Sequence, residues 1–455
     1  MPRAKDFEAL WRELVRLLSR QASSPAAELE KQLGVSHPTL SRLVARHQDS
    51  LLVVGRARAT RYSLRRLLGD VATTLPIYEI DAFGNARAIA HLHGVALEAF
   101  YVESLCDDVE SRFFDDFPYF LNDLRPAGFL GRLVPRQHPD LHLPADVRLW
   151  SAEQCLRYLA RFGSDLVGNL IVGDAAFQHY LHAHEAGPTP IPLKGRAASY
   201  DRRALDVLGG AAPGSSAGGE QPKFLAELTP ESENVLVKFS PPRDSALGRR
   251  RADLLVCEHL AHVVLNRFGH KACSSRVVES GSRVYLEVVR FDRAANGGRQ
   301  GTLSLLALDA EFVGQLETWS RSAIALAAAG RIPKDLVQRI VWLEWFGQLI
   351  GNTDMHAANL SFITRGIRVL DLAPVYDMAP SLYVPLQDQL VERELRLPPP
   401  HPVIAPIWRS LVSAAEAFWS EVEQHPLISK PFKTAVKNNV AAVRKFGALA
   451  EKLPA

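Results

Sequence analysis

The feature that most constrains the fold is a change in the spacing of apolar residues near residue 300. Between about 195 and 300, short apolar runs predict strands over residues 223–228, 234–239 and 283–291, with a helix over 250–268. From about residue 303 the spacing becomes helical, as in residues 336–349. A polar segment, residues 351–362, interrupts this part directly after an apolar run. The order predicts a strand-rich lobe followed by a helical lobe.

A chain of 455 residues is too long for one ordinary core, so we expect several domains. Two further units precede the two lobes. Residues 1–75 show helical spacing at 7–18, 25–33 and 38–47, with Ser24 as an N-cap and a turn at Gly34. Two strands, 51–54 and 60–64, follow around a basic loop, which predicts a winged helix-turn-helix. Residues 76–190 predict a mixed α/β unit with strands at 76–80 and 86–92, a helix at 113–124, a loop at 135–144 and a linker at 187–192. We therefore expect an α+β chain of four parts: residues 1–75, 76–190, 191–300 and 301–455.

The composition is that of an ordinary soluble protein. Hydrophobic residues make up 47% and charged residues 23%, and a net charge of +3 creates no global field that demands a polyanion. The four cysteines are scattered without a C-x-x-C pair, which fits a reduced cytosolic protein and indicates neither a disulfide framework nor a zinc site. No signal peptide and no spanning apolar run are evident, so we expect a cytoplasmic protein without a membrane partner.

Two residues of the polar segment, Asp354 and Asn359, stand in the D-x-x-x-x-N spacing of a kinase catalytic loop. In such a loop the Asp orients and deprotonates the acceptor hydroxyl, and the Asn holds Mg²⁺. Asp377 follows where a kinase keeps its second metal ligand. The alternatives are polar turns held by Asp and Asn side chains and, for Asp377, a helix cap. For His356 we expect packing, with phosphate contact as the alternative.

Upstream, Lys238 lies in an apolar strand, where a buried lysine needs an anionic partner. The phosphates of ATP would supply that charge, and Glu258 on the following helix is a candidate ion-pair partner. The alternative is a lysine that faces outward from an exposed strand. A Gly/Ser-rich turn, residues 213–219, lacks the Walker pattern. It can bring backbone N–H groups to a phosphate, or serve as a flexible linker.

The N-terminal unit carries basic and polar residues where a winged helix meets DNA. An alternative is a small helical domain that pairs with other proteins. Basic residues on both the second helix of the pair and the hairpin favour DNA. The candidate DNA-binding residues are Thr39, Ser41, Arg42 and Arg46 on the helix and Arg56, Arg58 and Arg61 on the hairpin.

With these residues in place, the chain resembles the HipA family of serine/threonine kinases, the toxin halves of bacterial toxin–antitoxin pairs, and within it a YjjJ-like subgroup. The resemblance covers about residues 76–400. The segment Ser216-x-x-Gly219-x-Gln221-x-Lys223 is similar to the family's phosphate loop, and residues 351–362 are similar to its catalytic loop. Residues 375–377 are similar to the metal-binding segment, residues 290–293 to the stretch after the nucleotide hinge, and residues 113–128 to the N-terminal subdomain.

The resemblance implies a protein-kinase-like two-lobed fold and an ATP- and Mg²⁺-dependent kinase, with Asp354 as the base and Asn359 and Asp377 as metal ligands. It implies autophosphorylation at Ser216, or at Ser215 if the register shifts by one. The nucleotide-binding residues that it implies are Ser216, Ala217, Gly218, Gly219, Gln221, Lys223, Lys238, Val288, Val289, Arg290, His356, Asn359, Tyr376 and Asp377.

The resemblance also implies partners. The expected substrate is a protein, with an aminoacyl-tRNA synthetase as a candidate, so that translation and growth are inhibited. Most family members lack an N-terminal winged helix and rely on a separate DNA-binding antitoxin, so the fused unit is a departure and an antitoxin stays an open expectation. In the phosphate loop, Pro222 replaces a more usual acidic residue.

The sequence therefore predicts an autophosphorylating kinase of HipA type with a DNA-binding N-terminus. One alternative is a transcription regulator whose kinase fold only senses nucleotide. The intact Asp354, Asn359 and Asp377 argue against it, because a sensor needs no base. The other alternative, a kinase of small molecules, is compatible with the same catalytic loop.

Overall fold

The N-terminal unit contains three helices and a small sheet. The structure is a computed structural model, and it describes residues 7–186, 190–209, 221–230, 232–294, 297–315, 317–387 and 389–454. The helices are α1 (Phe7–Leu18), α2 (Ala26–Leu33) and α3 (His37–Arg46). The strands β1 (Ser24–Pro25), β2 (Leu51–Val54) and β3 (Arg61–Leu64) form an antiparallel sheet in the order β1-β3-β2.

Most boundaries of this unit agree with the sequence expectations. Gly34 ends α2 in the left-handed conformation (φ +61°) that a turn into α3 requires. The expected start of α2 is wrong, because Ser24 and Pro25 belong to a strand. They pair with Tyr62 and Arg61 of β3, and the hydroxyl of Ser24 does not cap the helix.

The middle unit is built on a five-stranded antiparallel sheet in the order β7-β6-β5-β4-β8. Its strands are β4 (Thr74–Ile80), β5 (Ala86–Gly94), β6 (Phe100–Ser104), β7 (Arg112–Phe114) and β8 (Leu170–Val172). Its helices are α4 (Gly128–Gly131), α5 (Val134–Gln137), α6 (Ala152–Phe162) and α7 (Asp174–Ala186).

Two expectations for this unit are wrong. The predicted helix at 113–124 is instead strand β7 followed by a 3₁₀ turn, Tyr119–Leu124. Phe113 and Phe114 pair with Tyr101 and Phe100 across the sheet edge, and this long-range pairing overrides the local pattern. The predicted loop at 135–144 contains α5 and a 3₁₀ turn, Pro139–Leu141.

The strand-rich lobe has a five-stranded sheet in the order β12-β13-β11-β10-β9. Its strands are β9 (Ile191–Pro192), β10 (Lys223–Thr229), β11 (Glu233–Phe239), β12 (Ser275–Glu279) and β13 (Val284–Val289). Helix α8 (Arg196–Gly209) packs on the sheet through the buried Tyr200, and α9 (Ala246–Arg267) follows β11. The predicted strands and the helix are present, and α8, β9 and β12 are additional. Strand β9 lies within the predicted linker 187–192, whose residues 187–189 are outside the described residues.

The last part of the chain is helical but contains a further sheet. Its helices are α10 (Leu305–Phe312), α11 (Trp319–Ala328), α12 (Leu336–Leu349), α13 (Trp408–Gln424), α14 (Lys430–Val436) and α15 (Asn439–Ala450). Strands β14 (Gly301–Ser304), β15 (Ser361–Arg365) and β16 (Arg368–Leu372) form a sheet in the order β14-β15-β16. The sequence did not predict these strands, which place residues 351–360 between the end of α12 and the start of β15.

The largest core runs from the middle sheet through α9 to the C-terminal helices, so these parts share one continuous set of buried side chains. A separate cluster fills the strand-rich lobe under α8, and another fills the N-terminal unit. A small cluster with Leu52 and Tyr101 joins β2 to the middle sheet. Within the residues described, no helix combines the length and apolar character needed to cross a membrane.

Candidate active site

Lys238, on β11, is buried between two carboxylates. Its Nζ donates to both oxygens of Glu258 on α9, at 2.7 and 2.9 Å, and to Oδ1 of Asp377. Lys238 and Glu258 are each only 5% exposed. An unpaired buried charge costs roughly several kcal/mol. The pairing of Lys238 with both carboxylates therefore stabilises the contact between the strand, the helix and the Asp377 turn. The Lys238–Glu258 pair suggested by the sequence is present.

The three charged groups shift one another's pKa. Burial opposes the charged form of Lys238, but Asp377 and Glu258 outweigh it and raise the pKa of the lysine. Burial also opposes ionisation of Asp377, yet Lys238 and Lys223 hold the pKa of that carboxyl well below its usual range. For Glu258 burial dominates and raises the pKa. Asp377 is therefore a carboxylate at neutral pH, which is the form that binds a metal ion.

The backbone of Asp377 lies in the left-handed region, with φ +52°. Few non-glycine residues adopt this conformation, and Asp and Asn are among those that tolerate it best. The preceding Val375 is fixed from both sides, because its N–H donates to Lys271 O and its carbonyl accepts from Cys273 N, each at 2.9 Å. The turn after this anchor directs the carboxylate of Asp377 toward Lys238.

Tyr376 joins the Asp377 turn to the polar loop. Its hydroxyl donates to Ala358 O at 2.8 Å and lies 2.7 Å from Ser361 Oγ. Its ring stacks on Phe291, with a centroid separation of 6.0 Å. Tyr376 therefore sets the distance between the two polar segments of the site.

The polar loop folds back against α12 because a glycine leaves room for it. A Cβ at Gly347 would lie 2.3 Å from Sδ of Met355, so a larger residue there would push the loop away. Gly351, with φ +74°, allows the chain to leave the helix.

Asn352 fixes the backbone around Asp354. This residue is 5% exposed, and its Oδ1 accepts from Asp354 N and from Ser381 Oγ, each at 3.0 Å. Ser381 Oγ in turn accepts from Thr353 N at 2.7 Å. The backbone of Asp354 is thus held in place while its side chain is exposed on a cavity wall.

Asn359 closes the loop from the other end. Its Nδ2 donates to Asp354 O at 2.9 Å, which leaves the amide oxygen as the end of the side chain suited to a cation. His356 O accepts from Asn359 N at 2.9 Å and from Trp319 Nε1 at 3.1 Å. The packing role expected for the His356 side chain is wrong, because that side chain is exposed and lines the cavity.

Two adjoining cavities share Lys238, Glu258 and Asp377 in their walls. The first, about 480 Å³, also has Asp354 and Asn359 in its wall. The second, about 660 Å³, is lined mainly by apolar groups, among them Phe224, Leu236, Cys273, Val288, Val289 and Phe291. The arrangement provides a polar chamber beside Asp354 and an apolar chamber beside β13.

Of the expected hinge residues, Arg290 is used mainly within the fold. Its guanidinium donates to Asp292 at 3.0 and 2.9 Å and to Asp165 at 3.3 Å. Burial opposes the charge, but the two carboxylates outweigh it and raise the pKa of Arg290. Arg290 lines the apolar cavity and its guanidinium is neutralised within the fold, so its nucleotide-binding role stays a prediction.

The predicted phosphate loop lies only partly within the described residues. Ser215, Ser216, Ala217, Gly218 and Gly219 lie outside the described residues. Gln221 donates through Nε2 to Phe239 O. Lys223 pairs directly with Lys238 across β10 and β11, and both line the polar cavity, so two cations face one chamber.

Several other residues that line the polar cavity were missed, Arg251, Gly128 and Phe129 among them. Arg251 lies on α9 seven residues before Glu258, and the run of three arginines at 249–251 was the available signal. Gly128 and Phe129 of α4 come from the middle unit and line the same cavity. The other residues that line this cavity lie at least about 90 positions further along the chain. No local sequence pattern could therefore connect residues 128–129 with them.

In the N-terminal unit, the side chains of Ser41, Arg42 and Arg46 on α3 are exposed, and Thr39 is half-buried. On a helix with 3.6 residues per turn, Thr39, Arg42 and Arg46 share one flank and Ser41 faces the other. The guanidinium of Arg46 lies over the ring of Phe7, 4.3 Å from its centroid. The predicted surface of α3 is therefore accessible.

The hairpin arginines differ from one another. Arg56 and Arg58 are exposed in the turn between β2 and β3. Arg61 is half-buried and donates to Ser23 Oγ at 2.8 Å and to Ser23 O at 3.1 Å. Its guanidinium is used within the fold, so we remove Arg61 from the expected DNA-binding set.

Comparisons with known proteins first define the class. Residues 215–418 match the model of a HipA-like C-terminal domain, and residues 71–181 match that of a YjjJ-like toxin, middle domain. A chain in the Shewanella oneidensis MR-1 toxin–antitoxin complex of HipA, HipB and operator DNA has a TM-score of 0.52 at 16% identity, over 83% of this chain and 99% of that chain. A chain of the Helicobacter pylori proinflammatory kinase CtkA has a TM-score of 0.37 at 13% identity, over 50% of this chain and 90% of that chain. The fold is HipA-like, as the motifs predicted.

A sequence relative then identifies the family. Toxin YjjJ of Escherichia coli strain K12 is 36% identical over 443 residues, which are 95% of this chain and 98% of that protein. The chain therefore belongs to the YjjJ-like toxin family.

Proposed function

We propose that this protein is an ATP- and Mg²⁺-dependent protein serine/threonine kinase. The observation that carries the proposal is the convergence of Lys238, Asp354, Asn359 and Asp377 on one cavity, although they come from three distant segments of the chain. The adjoining apolar cavity shares Lys238 and Asp377 with it. A nucleotide has a flat, largely apolar base and charged phosphates, which matches the character of the two chambers.

Each residue has a distinct part in this proposal. Lys238 and Lys223 supply positive charge for the phosphates. The amide oxygen of Asn359 and the carboxylate of Asp377 are hard oxygen groups of the kind that Mg²⁺ prefers; they would hold the ion, which would supply positive charge beside the phosphates. Asp354 accepts the proton of the acceptor hydroxyl, and the hydrogen bonds of Asn352 and Asn359 to its backbone orient it.

The kinase proposal is tested with purified full-length protein and γ-labelled ATP, with and without Mg²⁺, alone and with extract of host cells. We expect label on the protein itself and on a protein of the extract, only when Mg²⁺ is present. Label found only on small molecules would replace the proposal by a small-molecule kinase, and ATP binding without transfer would replace it by a nucleotide sensor.

The matched variant for the metal site is Asp377→Asn. Asn tolerates the left-handed backbone as well as Asp does, so the variant removes the charge and keeps the turn. We expect it to lose the Mg²⁺-dependent part of ATP binding. The same Mg²⁺ dependence in wild type and variant would contradict the ligand role.

Autophosphorylation of Ser216 is a further part of the proposal. A phosphoserine carries roughly −1.5 to −2 charges at neutral pH, and in the phosphate loop it would compete with ATP for Lys223 and Lys238. Mass spectrometry should find phosphate on Ser216, or on Ser215, in the wild type and none in Asp354→Asn. Phosphate on the purified variant would mean that another kinase modifies the site.

We further propose that the kinase acts as a growth-inhibiting toxin in the cytoplasm, on a protein of translation such as an aminoacyl-tRNA synthetase. The similarity to Toxin YjjJ supports the toxin role. Exposed basic residues on α3 and the β2–β3 hairpin support duplex DNA as a partner, and an antitoxin remains a candidate partner. Phosphoproteomics after expression of wild type and Asp354→Asn would identify the protein target.

A further inference from the structure

Outside the kinase cavities, one cluster of side chains has the composition of a transition-metal site. His91 and His93 on β5 and Glu103 on β6 each offer one ligand atom, and these atoms lie within 4.8 Å of one another. Nδ1 of His91 and Nε2 of His93 lie 3.5 and 3.1 Å from the same oxygen, Oε2 of Glu103. The proposed kinase mechanism uses none of the three.

Strand register creates this cluster. His91 and His93 are two residues apart on one strand, so their side chains point to the same face of the sheet. Glu103 is the direct cross-strand partner of His91, which brings its carboxylate to that face as well. The site therefore rests on the backbone of two central strands of the middle sheet.

We propose that His91, His93 and Glu103 bind a divalent transition-metal ion, with Zn²⁺ as the best match. Zn²⁺ takes imidazole nitrogen and carboxylate oxygen in tetrahedral geometry at about 2.0–2.2 Å, which places neighbouring ligand atoms roughly 3.3–3.6 Å apart. The observed separations from the Glu103 oxygen, 3.5 and 3.1 Å, are close to this spacing. Three protein ligands leave the fourth position for water or another ligand. The scattered cysteines led us to expect no zinc site, and this proposal departs from that expectation because its ligands are histidine and glutamate side chains.

Thr74 offers His93 an acceptor for the tautomer that a metal needs, while the donor Nη1 of Arg65 faces the same Nδ1 and opposes it. Nδ1 of His93 lies 2.9 Å from Oγ1 of Thr74, the cross-strand partner of His93 on β4. Metal-binding histidines usually donate their second N–H to such an acceptor, which orients the ring and leaves Nε2 for the metal. His93 is 5% exposed and stacks on Tyr101, so packing also restricts the ring.

Arg65 is a cationic neighbour of the cluster, and its charge repels a metal ion bound there. Its Nη1 lies 3.0 Å from Thr74 Oγ1 and 3.3 Å from Nδ1 of His93, while its Nε donates to Leu51 O at 3.0 Å. The carboxylate of Glu103 offsets part of this charge. Because Leu51 belongs to β2, Arg65 also places the site at the junction between the N-terminal unit and the middle sheet.

The test is a Zn²⁺ titration of metal-stripped, full-length protein against a chromophoric chelator, with Mg²⁺ in excess to occupy oxygen-ligand sites. We expect one tightly bound Zn²⁺ per chain, and visible absorption typical of four-coordinate geometry when Co²⁺ is used instead. His91→Gln and Glu103→Gln should lose this binding without loss of fold, because their side chains are 38% and 50% exposed. Thr74→Ala should bind about 10- to 100-fold more weakly, because the orienting acceptor is removed.

Two controls separate this site from others. His182→Gln, which changes an exposed histidine on α7, should bind Zn²⁺ as the wild type does. Asp377→Asn should do the same, since its carboxylate belongs to the kinase site. Equal Zn²⁺ affinity in wild type, His91→Gln and Glu103→Gln, or a six-coordinate Co²⁺ spectrum, would overturn the proposal.

Discussion

Asp354 and Asp377 are two carboxylates of one cavity whose surroundings suit them to different tasks. Asp377 contacts the buried Lys238, which keeps it ionised, and its left-handed backbone fixes its direction. Asp354 has a fixed backbone but an exposed side chain, which can meet an incoming hydroxyl. Pairs of acids in unlike environments commonly divide the roles of charge stabilisation and proton transfer.

Asp354→Asn should therefore lower the rate of phosphoryl transfer by about 10²–10⁴-fold, because a nearly isosteric amide cannot accept the hydroxyl proton. ATP affinity and thermal stability should stay close to those of the wild type. Initial rates with γ-labelled ATP and a binding titration check both statements. Asp335→Asn, an exposed acid of the same lobe, is the control, and an unchanged rate in Asp354→Asn would remove Asp354 from the base role.

At the scale of elements, α9 carries ionisable groups in positions where water is excluded. Asp253, Glu258 and His262 are all buried on it. Glu258 is paired with Lys238, whereas Nδ1 of His262 lies 3.1 Å from Ser275 Oγ on β12. Among the described residues, Nε2 of His262 has no hydrogen-bond partner. A proton on His262 would therefore be poorly accommodated in the folded state.

The free energy of unfolding should consequently fall in mild acid, because the folded state disfavours protonation of His262. Burial, followed by the charge of Lys238, lowers the pKa of His262 to about 3, against about 6.5 in the unfolded chain. Because the unfolded state then binds more protons, this contribution is fully present above pH 6.5 and declines as the pH falls toward 3. The loss at pH 5 is about 2 kcal/mol.

Chemical denaturation of the wild type at pH 7.5 and pH 5, beside His262→Gln and the exposed-site control His182→Gln, measures this loss. Between pH 7.5 and pH 5, His262→Gln should lose less stability than the wild type and His182→Gln. An equal loss in all three would show that other groups cause the acid sensitivity.

The α3 helix and the β2–β3 hairpin form the second testable element. The double variant Arg56→Ala/Arg58→Ala should bind duplex DNA more weakly than the wild-type chain. The magnitude of the slope of log affinity against log salt should fall by up to about 2, because each lost phosphate contact lowers it by roughly 0.9. Arg12→Ala with Arg20→Ala removes the same charge from exposed positions on or just after α1 and serves as the control. Equal slopes in both double variants would indicate that the hairpin does not contact DNA.

At the scale of the molecule, the middle unit and the strand-rich lobe are joined by a buried charge network. Asp292, 4% exposed, accepts from Arg290 and Arg293, and its Oδ2 also accepts from Gly168 N at 2.9 Å. Arg293 Nη1 donates to Gly168 O at 2.9 Å. The segment after β13, which lines the apolar cavity, is therefore held by the middle unit.

Asp292→Asn should destabilise the protein by about 3–5 kcal/mol, because it removes one of the two carboxylates, Asp292 and Asp165, that compensate the buried Arg290 and Arg293. The matched control is Asp371→Asn, whose partner Arg339 lies on the surface, where an ion pair contributes about 1 kcal/mol at most. Chemical denaturation of the three proteins gives the comparison. Similar losses for the two variants would mean that Asp292 is well solvated.

Much of the candidate active site could be predicted from local sequence, and each failure has a specific physical reason. Few structures are compatible with the apolar run around Lys238 or with the polar run around Asp354. The first was correctly predicted as a strand, and the second as a loop that follows a buried helix. Strands β15 and β16 were missed because short apolar runs do not distinguish strand from helix until pairing partners are known. Residues 112–114 form a strand for the same reason, through pairing with β6.

The sequence by itself determined which chemical groups are available and in which order they come along the chain, since burial and hydrogen-bonding needs are properties of each residue and its neighbours. A lysine within an apolar strand had to find an anion, whatever the fold. Only the tertiary structure decided that Glu258 and Asp377 fill this role, that Arg61 and Arg290 are used within the fold, and that His91 and His93 meet Glu103. These contacts join distant segments, and the packing of whole elements determines their geometry.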